Sequence, residues 1–300
     1  MILFDHKIFY KKYAYDYYLY KVGTFQSILA DIKKFDQEFL SDFVEGADQT
    51  EYSRFVKSEI RMTCFHAIET LFEIIFALEP KDGELRDEKL LQTLTTAKPK
   101  ANYDRIGEIS KDISKLYFLD EICIDSPQVP LWMHIFYFKA NMEADSELKE
   151  ELLESRKAIR YFLYRIAETF HNRAEYNAYK HGLRIMHTLD HFSLGAENDP
   201  NPYVEDLSNS MSLFSIEKDK VTNKPVAEII DVIDFDTNTD LEVIKYCYFM
   251  IKNIIASRKA FYVHQKTDST VEMFSEEQIR KSIPSSYGTP NIQSRTPIKD

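Results

Sequence analysis

Residues 170–182 read Phe-His-Asn-Arg-Ala-Glu-Tyr-Asn-Ala-Tyr-Lys-His-Gly, the stretch densest in side chains suited to acid–base and anion chemistry. On a helix, Arg173, Asn177 and His181 fall at i, i+4 and i+8 and share one face. An imidazole with an ordinary pKa of about 6.5 suits His181 to proton transfer near neutral pH. Arg173 and Lys180 suit a phosphate or a developing negative charge, and Asn177 would orient either group. The same residues also have a structural reading. Arg173 and Asn177 would bond loop carbonyls, while Lys180 and His181 complement the dipole at a helix C-terminus. Ala174 and Ala178 form a small-residue strip that would let another helix approach closely.

A second candidate set lies at Arg61, His66 and Glu69, with Glu73 one turn further. His66, Glu69 and Glu73 are spaced i, i+3 and i+7 inside an otherwise apolar segment, where charged groups need partners. Ion pairing within a helical bundle meets that need, and so does a metal. Di-metal bundles use Glu-x-x-His on two helices and Glu on two others. Here the order is His-x-x-Glu, while Glu168 and His171 supply one Glu-x-x-His. A metal-binding bundle is therefore one alternative, but the favoured reading assigns no metal and no cofactor. There is no Walker A, GxGxxG, G-x-S-x-G or H-E-x-x-H sequence, and no DNA-binding motif.

The elements that must position these residues are helical. Residues 24–45 repeat apolar side chains at helical spacing, with Thr24 as cap and Gly46 as stop. Residues 48–79 form a second long helix, opened by Asp48 and Glu51 and stopped by Pro80 and Lys81-Asp82-Gly83. Two shorter helices break near Pro99 within 84–122. Residues 131–138, LWMHIFYF, suit either a short helix or a buried strand. A third long helix covers 146–181 and ends at Gly182. Short β-rich runs within 183–194, 211–217 and 226–235 predict a small antiparallel sheet of two or three strands inserted at about 183–235. Thr239-Asp240-Leu241-Glu242 reads as a capping box opening a last helix over 240–262. Residues 1–23 form a tyrosine-rich arm that either stacks nucleic-acid bases or packs on the bundle. Residues 265–300, rich in Ser, Thr and Pro, read as a flexible tail. The bundle domain proper spans 24–264.

Composition agrees with a mainly α fold. Among 300 residues there are 7 Gly, 19 Tyr and 21 Phe, and 44% hydrophobic content is enough for a large core. The net charge of −11 disfavours a dedicated nucleic-acid-backbone binder unless positive charge is concentrated locally. Cys64, Cys123 and Cys247 are odd in number and lie far apart in apolar contexts. That pattern suits buried reduced thiols in the cytoplasm. The N-terminus lacks a signal-peptide apolar stretch, and no run is long enough for a membrane span, so no membrane partner is expected.

Four pairs, Arg61-x4-His66, Arg165-x5-His171, Arg184-x6-His191 and Arg258-x5-His264, resemble the Arg-x(4–6)-His pair of HEPN-like helical domains. The Asn177-Ala-Tyr-Lys-His181-Gly segment is similar to segments of uncharacterised bacterial members. The resemblance covers about residues 24–262. It implies a helical bundle with a small β insert, a homodimer and RNA as partner. It also implies a metal-independent ribonuclease or RNA-binding effector of a bacterial stress or defence system. In that mechanism His181 moves the 2′-hydroxyl proton while Arg173 and Lys180 stabilise the phosphorane. The first alternative is a non-catalytic dimerisation or interaction module.

Overall fold

Apolar residues recur every third or fourth position through most of the chain, and most of it is helical. A computed structural model describes residues 5–40, 48–120, 123–124, 129–140, 146–171, 174–180, 185–186, 191–194, 203–219, 221–266, 270–287 and 292–298. The helices are α1 (His6–Lys12), α2 (Tyr17–Ala30), α3 (Ile32–Phe35), α4 (Gln49–Leu78), α5 (Leu90–Thr96), α6 (Pro99–Ile109), α7 (Leu131–Phe136), α8 (Ser146–His171), α9 (Ala174–Lys180), α10 (Thr237–His264) and α11 (Glu276–Ser282). The strands are β1 (Cys123–Ile124), β2 (Val129–Pro130), β3 (Ile185–Met186), β4 (His191–Leu194), β5 (Tyr203–Asp206), β6 (Ser210–Lys218), β7 (Pro225–Asp234) and β8 (Ile292–Pro297). The fold is mainly α with a small antiparallel sheet of order β3-β6-β7-β8, beside the short pairs β1-β2 and β4-β5.

The chain divides into two compact units. The first comprises residues 1–20, 64–171 and 241–285, and the second 21–63, 172–240 and 286–300. Helices α2, α4 and α10 contribute residues to both.

The first unit has an aromatic and aliphatic centre. Phe65, Ile68, Leu71, Phe72 and Ile75 of α4 are fully buried, as the near-continuous apolar stretch predicts. Each such burial contributes about 1.5–3 kcal/mol. Phe65 meets Phe170 of α8 with ring centres 6.3 Å apart, and Phe162 of α8 meets Tyr246 of α10 at 5.5 Å. Helix α11 lies on α8, where Arg280 covers the Tyr161 ring at 3.9 Å. Cys64 and Cys247 are buried free thiols, and burial pushes the Cys247 thiol well up. Of residues 131–138, Leu131–Phe136 form helix α7, every residue of which is buried.

The second unit is built on the sheet. Met211 and Leu213 of β6, Ile233 of β7, Phe235 and Ala178 of α9 form one buried cluster. Strand β7 pairs on one side with β6, placing Met211 opposite Ile233, and on the other with β8, placing Ile230 opposite Ser294.

Several sequence expectations are corrected. Helix α2 begins at Tyr17, not at a cap on Thr24, because Tyr18 and Val22 already bury their side chains and extend the helix backwards. The tyrosine segment packs as well: in the first unit Tyr10 stacks on Tyr262 with ring centres 5.6 Å apart and planes 6° apart. Its ring face is therefore covered by another tyrosine. Within the span 146–181, α8 and α9 are helical as expected, and residues 172–173, 181 and 182 lie outside the described residues. Helix α10 starts at Thr237, and Asp236, one residue earlier, is its cap, accepting from the Thr239 amide at 3.1 Å. Residues 270–287 and 292–298, within the segment read as a flexible tail, form α11 and β8 and bury Phe274, Ile279, Ile283 and Tyr287. Four apolar anchors at wide spacing supply the burial that average composition conceals.

Candidate functional site

The first candidate set is only partly visible. Arg173 and His181 lie outside the described residues. Asn177 is half-buried on α9, and Lys180 is exposed with its ammonium 5.1 Å from the centre of the Tyr176 ring. Tyr179 donates to Glu59, tying α9 to α4 within the second unit. The small residue Ala178 joins the buried cluster of the sheet, formed with Met211, Leu213, Ile233 and Phe235.

The second set is dispersed by its own burial pattern. Arg61 is 4% exposed and donates from Nη1 to Oδ1 of Asp240 at 2.7 Å. The Tyr287 hydroxyl donates to the same oxygen, and the Arg61 guanidinium lies 4.8 Å from the Tyr287 ring centre. Burial pushes the Asp240 carboxyl up against the opposing pull of Arg61 and Tyr287. Its second oxygen has no hydrogen-bond partner among the described residues. His66, by contrast, is exposed and meets the edges of Tyr17 and Tyr18 at 6.5 and 5.3 Å. Glu69 is half-buried. Among the described residues no three His, Cys, Asp or Glu side chains converge as metal ligands, and no helix is long and apolar enough to cross a membrane.

The other Arg-x-His pairs show the same use of arginine. Arg165 pairs with Glu168 and donates to the Ser285 carbonyl at 2.9 Å. Its partner in sequence, His171, packs on Gly107 and stacks at 6.0 Å on Tyr103. Arg184 lies outside the described residues. Arg258 is fully buried and is the centre of the densest polar network of the first unit.

Little of that network shows in the local sequence. Arg258 donates from Nε to Oδ1 of Asp87 at 2.6 Å, from Nη1 to the carbonyls of Ile135 and Ile254 at 3.0 Å each, and from Nη2 to the carbonyl of His134 at 2.8 Å. His134 Nε2 lies 2.9 Å from Oδ2 of Asp87, and the Tyr10 hydroxyl donates to the Asp87 carbonyl at 2.7 Å. The ring of Phe138 lies 4.7 Å from the guanidinium. Burial raises the Asp87 carboxyl, but Arg258 and His134 outweigh it and hold it well below the usual carboxylate range. Every charge here is paired and hydrogen-bonded, which is what low-dielectric surroundings demand. One signal was available: Arg258 follows Ile254, Ile255 and Ala256, and a lone guanidinium in such a run needs a buried anion.

The network fixes the segment before α5. After α4, Pro80 ends the helix and Asp82 and Gly83 adopt φ of 54° and 80°. Two positive φ values make a tight two-residue turn, the conformation Asp-Gly favours. It closes with reciprocal backbone bonds between Lys81 and Glu84 of 3.0 and 2.9 Å. A short 3₁₀ turn, Asp87–Lys89, then leads into α5. Asp87 is buried there, while Arg86 before it is half-buried and Glu88 and Lys89 after it are exposed.

Compared with known proteins, the chain matches no family model, no curated protein and no solved structure.

Proposed function

We propose that this protein is a non-catalytic interaction module built on a mainly helical scaffold. One observation carries the reading: Arg61, Arg165 and Arg258, the described arginines of the Arg-x-His pairs, are each already bonded within the chain, Arg61 and Arg258 in its interior and Arg165 at its surface. A ribonuclease needs its cation free to meet phosphate charge as it develops in the transition state. A guanidinium already bonded to buried carboxylate or carbonyl oxygens serves packing instead. Lys180 on the Tyr176 ring and Tyr179 on Glu59 extend the same theme to α9.

The test is incubation of the purified full chain with single-stranded RNA in EDTA. The expected result is intact RNA, with Asn177→Ala lowering the melting temperature by several degrees. Metal-independent cleavage that disappears in His181→Ala and survives in a folded His264→Ala control would overturn the proposal and restore the nuclease reading.

A further inference from the structure

We infer that the cleft formed by the Asp-Gly turn, the 3₁₀ turn and α5 is a binding site for a small compound carrying two phosphate groups. This cleft lies wholly within the first unit. It is an open groove of about 520 Å³ lined by Lys81, Arg86, Lys89, Gln92, Thr93 and Thr96. That size is within the range of small-ligand sites, roughly 300–1,000 Å³.

The charge of the lining is what points to the ligand. Three cations face the space and no carboxylate lines it, on a chain whose net charge is −11. Elsewhere the surface arginines Arg105, Arg160, Arg280 and Arg295 each pair with an acidic side chain. Neither Lys81 nor Arg86 has an ion pair among the described residues. Lys89 does, with Glu84 at 2.7 Å, and that carboxylate is exposed on the turn outside the lining. Asp82 and Glu88 of the same segment are likewise exposed outside the lining, so within the cleft itself three positive charges meet no carboxylate, a deficit that a single carboxylate ligand would not fill. Two phosphate groups would. The Gln92 amide adds a neutral donor. The Thr93 and Thr96 hydroxyls already donate to the carbonyls of Lys89 and Gln92, at 3.0 and 2.8 Å, and are left as walls.

The backbone that carries these donors is also held in place before any ligand arrives. Arg86 and Lys89 flank Asp87, which the Arg258 network pins from inside, and Lys81 is fixed by the paired backbone bonds of its turn. A backbone already fixed loses less freedom on binding. Guanidinium and ammonium together suit phosphate, the first by its planar fork and the second as a point charge.

The site deepens the interaction-module reading by naming what is bound, and it fails separately from it. RNA cleavage decides the one, and direct titration decides the other. The full chain is titrated calorimetrically at low salt with inorganic pyrophosphate, with fructose 1,6-bisphosphate and with citrate. Saturable one-to-one binding of a phosphate compound is expected, the better of the two showing whether the groups sit adjacent or apart. Arg86→Ala should weaken it roughly tenfold, in keeping with loss of a charge-assisted bond. Glu84→Gln should tighten it several-fold, because Lys89 is released and a repelling charge removed. Both substitutions lie outside the core, and matching melting temperatures verify folding. Absence of saturable binding to either phosphate compound at millimolar concentration overturns the inference. So does an affinity that ignores Arg86→Ala, a Glu84→Gln chain that binds no tighter, or citrate binding as well as phosphate.

Discussion

Arg258 and Asp87, 171 positions apart in sequence, meet at 2.6 Å with both side chains almost wholly removed from water. One end of the contact is a long helix and the other a short 3₁₀ turn. The pair therefore sets the position of a surface segment from the interior. A charge buried this deeply is tolerable only while its partner stays.

Arg258→Met leaves the Asp87 carboxylate buried without its main counter-charge. Removing one partner of a buried pair costs about 3–5 kcal/mol. Urea unfolding of the full chain should show a loss of that order. The double variant Arg258→Met with Asp87→Asn should lose clearly less than the sum of the two single changes. Additive losses would mean that the two residues act independently.

The same carboxylate makes stability depend on pH in a fixed direction. Burial alone would raise its pKa, but Arg258 and His134 reverse that and depress the folded value below the unfolded one. A depressed carboxylate contributes stability that is fully present above its unfolded pKa of about 4 and is lost as pH falls towards the folded value. The stability gap between the native chain and Asp87→Asn should accordingly be constant from neutral pH down to about 5 and narrow below it. Unfolding curves across pH 7 to 2 measure this, and a gap that widens in acid contradicts the pairing.

Much of this architecture is legible in the sequence because it is local. Asp48 accepts from the Thr50 amide at 2.8 Å at the head of α4, and the helix ends before Pro80 as the breaker predicts. Pro99 stands at the first position of α6, where its missing amide hydrogen costs nothing. The β-rich runs at 211–217 and 226–235 become β6 and β7. What escaped depends on distant partners. Strand β8 is polar because only its β7 side is paired, so its composition resembles a linker. The start of α10 escaped by three residues because Asp236, Thr239 and Asp240 are all cap-competent. Lys81, Arg86 and Lys89 converge only through the turn and the 3₁₀ segment that follow α4, and their sequence reads simply as a helix stop.

Gly107 makes a steric prediction. A Cβ there would lie 2.9 Å from Nδ1 of His171, too close for the present ring position. Gly107→Ala should destabilise by about 1–3 kcal/mol, as overpacking does. In a His171→Ala background the clash is absent, and the same change should be neutral or stabilise by about 0.4–1 kcal/mol, since alanine suits a helix interior better than glycine. A cost that persists in that background would show that His171 is not the obstacle.

Tyr287 tests whether residues 286–298 are part of the packed second unit. Its hydroxyl donates to Asp240, and its ring lies against Arg61. Tyr287→Phe keeps the ring and removes only the donor, leaving Asp240 with Arg61 as its partner. Loss of a hydrogen bond to a charged acceptor costs about 1.5–3 kcal/mol. Tyr287→Ala removes the cation–π contact as well, about 0.5–2 kcal/mol more. The order of stability in urea should be native, then Phe, then Ala, with faster amide exchange along β8 in both variants. A loose tail predicts no change from either substitution, so two neutral variants would remove β8 and Tyr287 from the fold and leave Arg61 and Asp240 to balance each other alone.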